Sequence, residues 1–308
     1  MRPAHRSLAG GLLACALTAC GGAGAAPTTE PAPTQRIIPL DGDVAEVVFA
    51  LGMGDQVVAT DLSATYPPEA DALPQIGYQR ALSAEPILTF DPTLLIGSDL
   101  AGPPEVLDEL QRAGVRVEII AAEATPAGPA QKIRAVAGVL GIADEGARVA
   151  AEVQAAIDAA MPAEPAAEPA ARLRVAMLYL RGESTQIVFG AGSGIDWVIE
   201  ATGATDIADE LGIVDTAQVT AEALVVAAPD VLLVTEDGLA SVGGIDGLVA
   251  LPAIAGTPAA AHRAVLAYDA QLMLGNGPRT GEFLAQLRAD LNELAARLAS
   301  DPENGPTE

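Results

Sequence analysis

The chain has 308 residues and a formal net charge of −25, with 41 acidic against 16 basic side chains, 3% aromatic residues and two histidines. A surface this negative repels phosphate backbones and anionic lipid, which argues against a nucleic-acid partner. Both cysteines, Cys15 and Cys20, fall in the first twenty residues, so the remainder can hold neither a disulfide framework nor a thiolate metal site.

The first stretch carries Arg2 and Arg6, then the apolar run LAGGLLACALTA, and ends in LTAC at Cys20. This pattern predicts a secretory leader over 1–19, with cleavage leaving Cys20 as a lipid-acylated first residue. A plain cleaved leader is the alternative; the run is too short to span a bilayer. Residues 20–35 are small, polar and Pro-rich and read as a flexible tether, and 300–308 as a disordered tail.

From Arg36 short β runs alternate with helical patterns. RIIPL predicts a strand, DVAEVVFALGMG a helix stopped by glycine, and QVVATD a second strand. PTLLIGS predicts a third strand, GPPEVLDELQRAG a helix, and VRVEII a fourth strand. This alternation predicts a parallel sheet covered on both faces, a first αβ lobe over 36–125. Residues 130–160 are a helical stretch with glycine interruptions, broken by MPAEPAAEPAA, so 126–171 is expected to be a stiff connecting helix and linker.

RLRVAMLYL restarts the αβ pattern, opening a second lobe over 172–299. TQIVFG, PDVLLVT and RAVLAY are its further strands, and SGIDWVIEATGA and GEFLAQLRADLNELAARLAS its helices. SAEPILTFDPTLLIGS (83–98) aligns without a gap to TAEALVVAAPDVLLVT (220–235). Each has a Ser or Thr cap, Ala, Glu, an apolar turn, a Pro seven after the Glu and an apolar strand. The expected fold class is therefore α/β: two Rossmann-like lobes joined by a long rigid helix, with a ligand cleft between them.

Several catalytic constellations are missing. His262 is the single histidine beyond the leader and reads as a solvated loop residue, so neither a Ser-His-Asp triad nor a multi-histidine metal carrier can be assembled. No GxxxxGK[ST] phosphate loop occurs, and GAGSG at 190–194 lacks the dinucleotide spacing. The chain reads as a binder, not an enzyme.

With four tyrosines in all, Tyr-x-Arg occurs twice, as Tyr78 with Arg80 and Tyr179 with Arg181, against about 0.2 such pairs expected by chance. On extended backbone, residues two apart share a face. A guanidinium beside a phenol favours phenolate, a hard anionic donor suited to ferric iron and known as an axial ligand of haem. Arginine can also fork onto a carboxylate such as a propionate. The bland reading is a packed ring with its hydroxyl bonded or wet. Asp41, Gly42, Asp61, Asp99 and Leu100 follow predicted strands and are candidates to line the cleft. Met53, Met273 and Trp197 are expected in cores, and Arg279 is expected to hold its loop.

GYQRALSAEPILTFDPTLLIGSDLAGPPEVLDELQRAGV closely resembles the first lobe of haem-carrier lipoproteins that serve bacterial haem-uptake ABC importers. YLRGESTQIVFGAGSGIDWVIEATGA, SVGGIDGLVALPAIA and LGNGPRTGEFL resemble the second lobe of that family's actinobacterial branch. The resemblance covers nearly all of 36–298. It implies a monomeric carrier of ferric haem b, lipid-anchored on the outer face of the cytoplasmic membrane and delivering to an ABC permease dimer. By position, the resemblance makes Tyr78 and Tyr179 axial ligands and Arg181 the arginine beside the second; the repeated Tyr-x-Arg spacing adds Arg80 as the matching pocket residue. A two-tyrosine site departs from the family's mixed His/Tyr pattern and leaves open one shared iron, an indirect role for one ring, or a second stacked haem. Glu85 and Glu222, whose first-turn positions already suit the helix dipole, are by resemblance permease-docking residues. A ferric-siderophore or cobalamin carrier of the same architecture is the alternative, although one would expect it to need more aromatic and basic groups.

Overall fold

The computed structural model describes residues 35–182 and 184–300; the expected leader, the Cys20 lipid site, most of the tether and nearly all of the tail lie outside them. Strands β1 (Ile37–Pro39), β2 (Leu94–Ser98) and β3 (Arg116–Ile120) form a parallel sheet in the order β1-β2-β3. Ile37, Leu94 and Ile96 face one core with Val44, Val47 and Val48 of the helix Gly42–Ala50. Ile38 and Leu95 face another, with Ile87 and Leu110. Because successive side chains alternate and both faces are covered, β1 and most of β2 read as unbroken apolar runs.

QVVATD does not form the expected second strand. It pairs with β1 through the isolated Ile37–Val57 bridge and a 3.0 Å bond from Val58 N–H to Ile37 C=O, then turns to pair Thr60 with Gln75. The next bond of that ladder would need an N–H from Pro39, which proline lacks.

The connecting segment is not one continuous helix. It is the helices Gly128–Leu140 and Ala143–Ala160, divided at Gly141, whose φ of 76° is left-handed. Such a residue ends a helix, and glycine adopts it without steric cost. The second helix folds back so closely that a Cβ on Gly146 would lie 2.2 Å from Ala137 Cβ. It then packs on the C-terminal helix Thr280–Ser300 near Gly281. No described helix is long and apolar enough to cross a membrane.

The second sheet comprises β4 (Arg174–Arg181), β5 (Thr185–Phe189), β6 (Thr205–Asp206), β7 (Thr216–Gln218), β8 (Val231–Thr235) and β9 (Val265–Tyr268). Its order is β7-β5-β4-β8-β9, with β6 also on β4. β8 and β9 extend β4 in parallel, as expected; β5 and β7 are antiparallel, an addition the αβ alternation did not reveal. The aligned repeats occupy matching places: the short helices Ala84–Leu88 and Ala221–Ala227 each lead into the strand β2 or β8. One apolar core runs from Ile37 in the first sheet through Ile133 and Ile157 to Val175 and Met177 in the second.

Candidate functional site

β4 carries one predicted pair. Val175, Met177 and Tyr179 face the shared core while Ala176, Leu178 and Leu180 face the other side, so Tyr179 and Arg181 fall on one face at the strand's C-terminal end. Arg181 Nε–H donates to Tyr179 Oη at 2.6 Å, and its guanidinium carbon lies 5.5 Å from the ring centroid. Tyr179 is half-buried against Phe189, ring centroids 6.1 Å apart. The antiparallel β5, which sets Ile187 opposite Tyr179, supplies this support; the alternation in TQIVF was the available signal. The Arg181 pKa is raised, first by the hydrogen bond to Tyr179 and next by that phenol's charge, with a further contribution from Tyr78.

The other pair is built differently. Ala81 N–H bonds Tyr78 C=O at 2.8 Å, so residues 78–81 form a turn and the shared-face argument fails there. Arg80 is exposed and makes no hydrogen bond or ion pair among the described residues, with Tyr78 or any other group. Tyr78 is 39% exposed, beside the exposed Leu62 and Leu100. Leu62 N–H reaches Gly77 C=O at 2.9 Å, and Gly102 N–H reaches Gln79 C=O at 2.8 Å, which ties the three loops together. Leu62 carried no sequence signal.

Of the other cleft candidates, Asp99 and Leu100 are exposed, whereas Asp41, Gly42 and Asp61 are buried behind the surface. Burial, and secondarily Asp43, pushes the Asp41 carboxyl up, and burial takes Asp61 to about 6. Met273 and Trp197 pack in the core, Met53 lies against it, and Trp197 Nε1–H donates to Asn276 Oδ1 at 3.0 Å. His262 is half-buried at the end of the helix Pro258–Ala261, where a solvated loop position was expected. Among the described residues no His, Cys, Asp and Glu cluster of three or more is placed to hold a metal ion.

Arg279 lies at the joint between the lobes. It forks onto Glu46 (Nε–Oε1 3.0 Å, Nη2–Oε2 2.9 Å) and covers the Tyr66 ring with its guanidinium carbon 3.6 Å from the centroid. Lys132 joins it there, paired with Asp43 and donating to Gly275 C=O at 2.8 Å. A groove of about 760 Å³ lined by Glu46, Phe49, Tyr66, Leu73 and Arg279 runs along this joint and includes neither Tyr78 nor Tyr179. Glu85 and Glu222 are both exposed in first helical turns. Thr220 caps its helix by accepting from Ala223 N–H at 3.2 Å, whereas Ser83 makes no side-chain cap.

The chain is similar over most of its length to several solved structures. Periplasmic heme-binding protein RhuT from Roseiflexus sp. RS-1, in apo form, is 46% identical with a TM-score of 0.79, covering 85% of this chain and 99% of that one. Periplasmic heme-binding protein BhuT, in complex with two hemes, is 34% identical with a TM-score of 0.78, over 85% and 99%. The periplasmic heme-binding protein HutB of Vibrio cholerae is 30% identical with a TM-score of 0.71, over 83% and 98%. A curated vitamin B12-binding protein of Vibrio cholerae is 34% identical over 88 residues, 29% of this chain; the match spans only 32% of that relative's length. The family model described as periplasmic binding protein matches residues 37–272. The chain belongs to the periplasmic-binding-protein family.

Proposed function

We propose that this protein binds ferric haem outside the cytoplasm and delivers it to an ABC permease. The observation that carries the reading is the 2.6 Å bond from Arg181 to the Tyr179 oxygen. An N–H donated to a phenol oxygen stabilises the anion that ligates iron(III). Tyr78 offers such an oxygen from one lobe and Tyr179 from the other. Leu62 and Leu100 supply apolar surface for a porphyrin face. Arg181 spends its Nε–H on Tyr179, which leaves its terminal amino groups, and the unpartnered Arg80, for propionate carboxylates. The relatives named as heme-binding align over 98–99% of their chains, whereas the vitamin B12-binding relative aligns over 32% of its own, so haem is favoured over cobalamin.

The exposed carboxylates Glu85 and Glu222 dock onto arginines of the permease dimer, one from each lobe. Cys20 carries the lipid that keeps this monomeric carrier on the outer face of the membrane. No covalent step occurs, so the protein is a carrier and not an enzyme.

Titration of the apoprotein with hemin, cobalamin and a ferric hydroxamate separates the ligand classes. The expected result is a saturable Soret change with hemin alone and a high-spin ferric phenolate spectrum that is lost in Tyr78→Phe or Tyr179→Phe. Retention of that spectrum in both variants would overturn the axial assignment, and tighter binding of cobalamin would overturn the ligand.

A further inference from the structure

The loops that carry Tyr78, Leu62 and Leu100 converge on one buried carboxyl group. Asp41, 6% exposed, follows β1, and its Oδ2 accepts a hydrogen bond from Ser98 Oγ–H. Ser98 Oγ in turn accepts from Leu100 N–H at 3.1 Å. Gln79, between Tyr78 and Arg80 in sequence, joins the same loops through its backbone, its C=O accepting from Gly102 N–H at 2.8 Å, and its side chain is buried. Asp41 N–H donates to Oδ1 of the fully buried Asp61 at 3.0 Å. Asp61 Oδ2 holds the Leu62 loop by accepting from Ser63 N–H at 3.1 Å and Ser63 Oγ–H at 2.8 Å.

The backbone supplies a separate observation. Asp41 has φ 80° and ψ 135°, a region that non-glycine residues rarely occupy and that persists only where the surroundings over-determine it. A capping role does not explain the residue, because it starts the helix Gly42–Ala50 without a side-chain cap bond. Its carboxylate is directed instead to the donors behind the exposed loops.

We propose that Asp41, backed by Asp61, is the positioning residue of the first-lobe ligand surface, holding Tyr78 and its apolar neighbours in one arrangement before ligand arrives. Prior ordering matters because a loop fixed only on binding spends part of its interaction energy on that ordering. The inference rests on the haem reading for its purpose but not for its structural content. Asp41 is buried behind the loops and acts through Ser98 and, by way of Asp61, through the Ser63 turn next to Leu62.

The test combines amide hydrogen exchange on the apoprotein with a hemin double-mutant cycle. In Asp41→Ala, exchange at Leu62, Leu100 and Gly102 should rise about tenfold or more while β8 and β9 amides keep their protection. Hemin affinity should fall about tenfold in the Tyr78-containing protein and change little when Asp41→Ala is added to Tyr78→Phe. Ser98→Ala, which removes the hydroxyl between Asp41 and the Leu100 loop and spares the buried acids, should show a smaller version of both effects if Asp41→Ala folds poorly. Unchanged loop exchange, or an equal loss of affinity with and without the Tyr78 hydroxyl, would overturn the proposal. If the parent protein takes up no hemin, the haem reading fails, and the exchange result alone then decides the positioning role.

Discussion

Tyr179 and Arg181 were legible from the sequence because strand geometry is local: a two-residue spacing on β4 puts both on one face whatever surrounds them. Tyr78 and Arg80 have the same spacing but sit in a turn, so the pattern carried no shared face there. The two arginines should therefore differ. Arg181→Ala is expected to weaken hemin binding about tenfold, the usual worth of one charge-assisted hydrogen bond, whereas Arg80→Ala should cost about threefold or less. Proton and iron compete for a phenolate ligand, so under the proposed ligation hemin affinity should fall as pH falls, in the parent protein and in Arg181→Ala alike. Hemin titrations between pH 5 and 8, at about unit intervals, read both effects. Arg181→Lys should not restore binding, since a point charge does not reproduce the fixed Nε–H.

Where elements begin and end depends on which backbone groups find partners. Pro39 removes the N–H that would have made QVVATD a strand, and Gly141 turns an expected single helix into a hairpin. A similar end effect predicts a pH dependence. Asp206 caps the short helix Ile207–Glu210 by accepting from Ala208 N–H at 2.9 Å, while its buried Oδ2 has no hydrogen-bond partner among the described residues. Burial first, and then Asp209, Asp196 and Glu200, push this carboxyl up to about 7. The folded chain therefore holds its proton more tightly than the unfolded chain, and the Asp206 contribution to stability falls as pH rises from about 4 to 7. Asp206→Asn keeps a capping oxygen and removes the buried charge. It should stabilise the protein by about 1–3 kcal/mol at pH 8 and by little at pH 4, measured by urea unfolding at each pH.

The lobes meet through polar groups far apart in sequence as well as through the common core. Gln271 accepts from Thr65 N–H at 2.8 Å and donates to Gly42 C=O at 2.7 Å, while Arg279 forks onto the buried Glu46. These contacts, together with the helical hairpin, hold the joint, so stiffness of a connecting helix is not its sole cause. Burial raises the Glu46 pKa and the Arg279 hydrogen bond opposes that rise. Arg279→Ala would strand a buried carboxylate and should cost about 3–5 kcal/mol near neutral pH. The loss should shrink as pH falls, because burial raises the Glu46 pKa and without Arg279 the carboxyl can take up a proton instead of remaining a stranded charge. Chemical unfolding at pH 5 and pH 7.5, each read to about 0.5 kcal/mol, distinguishes these outcomes.

The α/β alternation, the repeat shared by 83–98 and 220–235, and the face shared by Tyr179 and Arg181 follow from the sequence alone, because each depends on residues near in the chain or on apolar periodicity. The antiparallel β5, the burial of Asp41 and Asp61, and the Gln271 and Arg279 ties depend on partners brought together only in the folded chain, up to 233 residues apart. Nothing local in the sequence names such a partner, because a buried polar group is satisfied by whichever donor or acceptor the tertiary fold sets beside it.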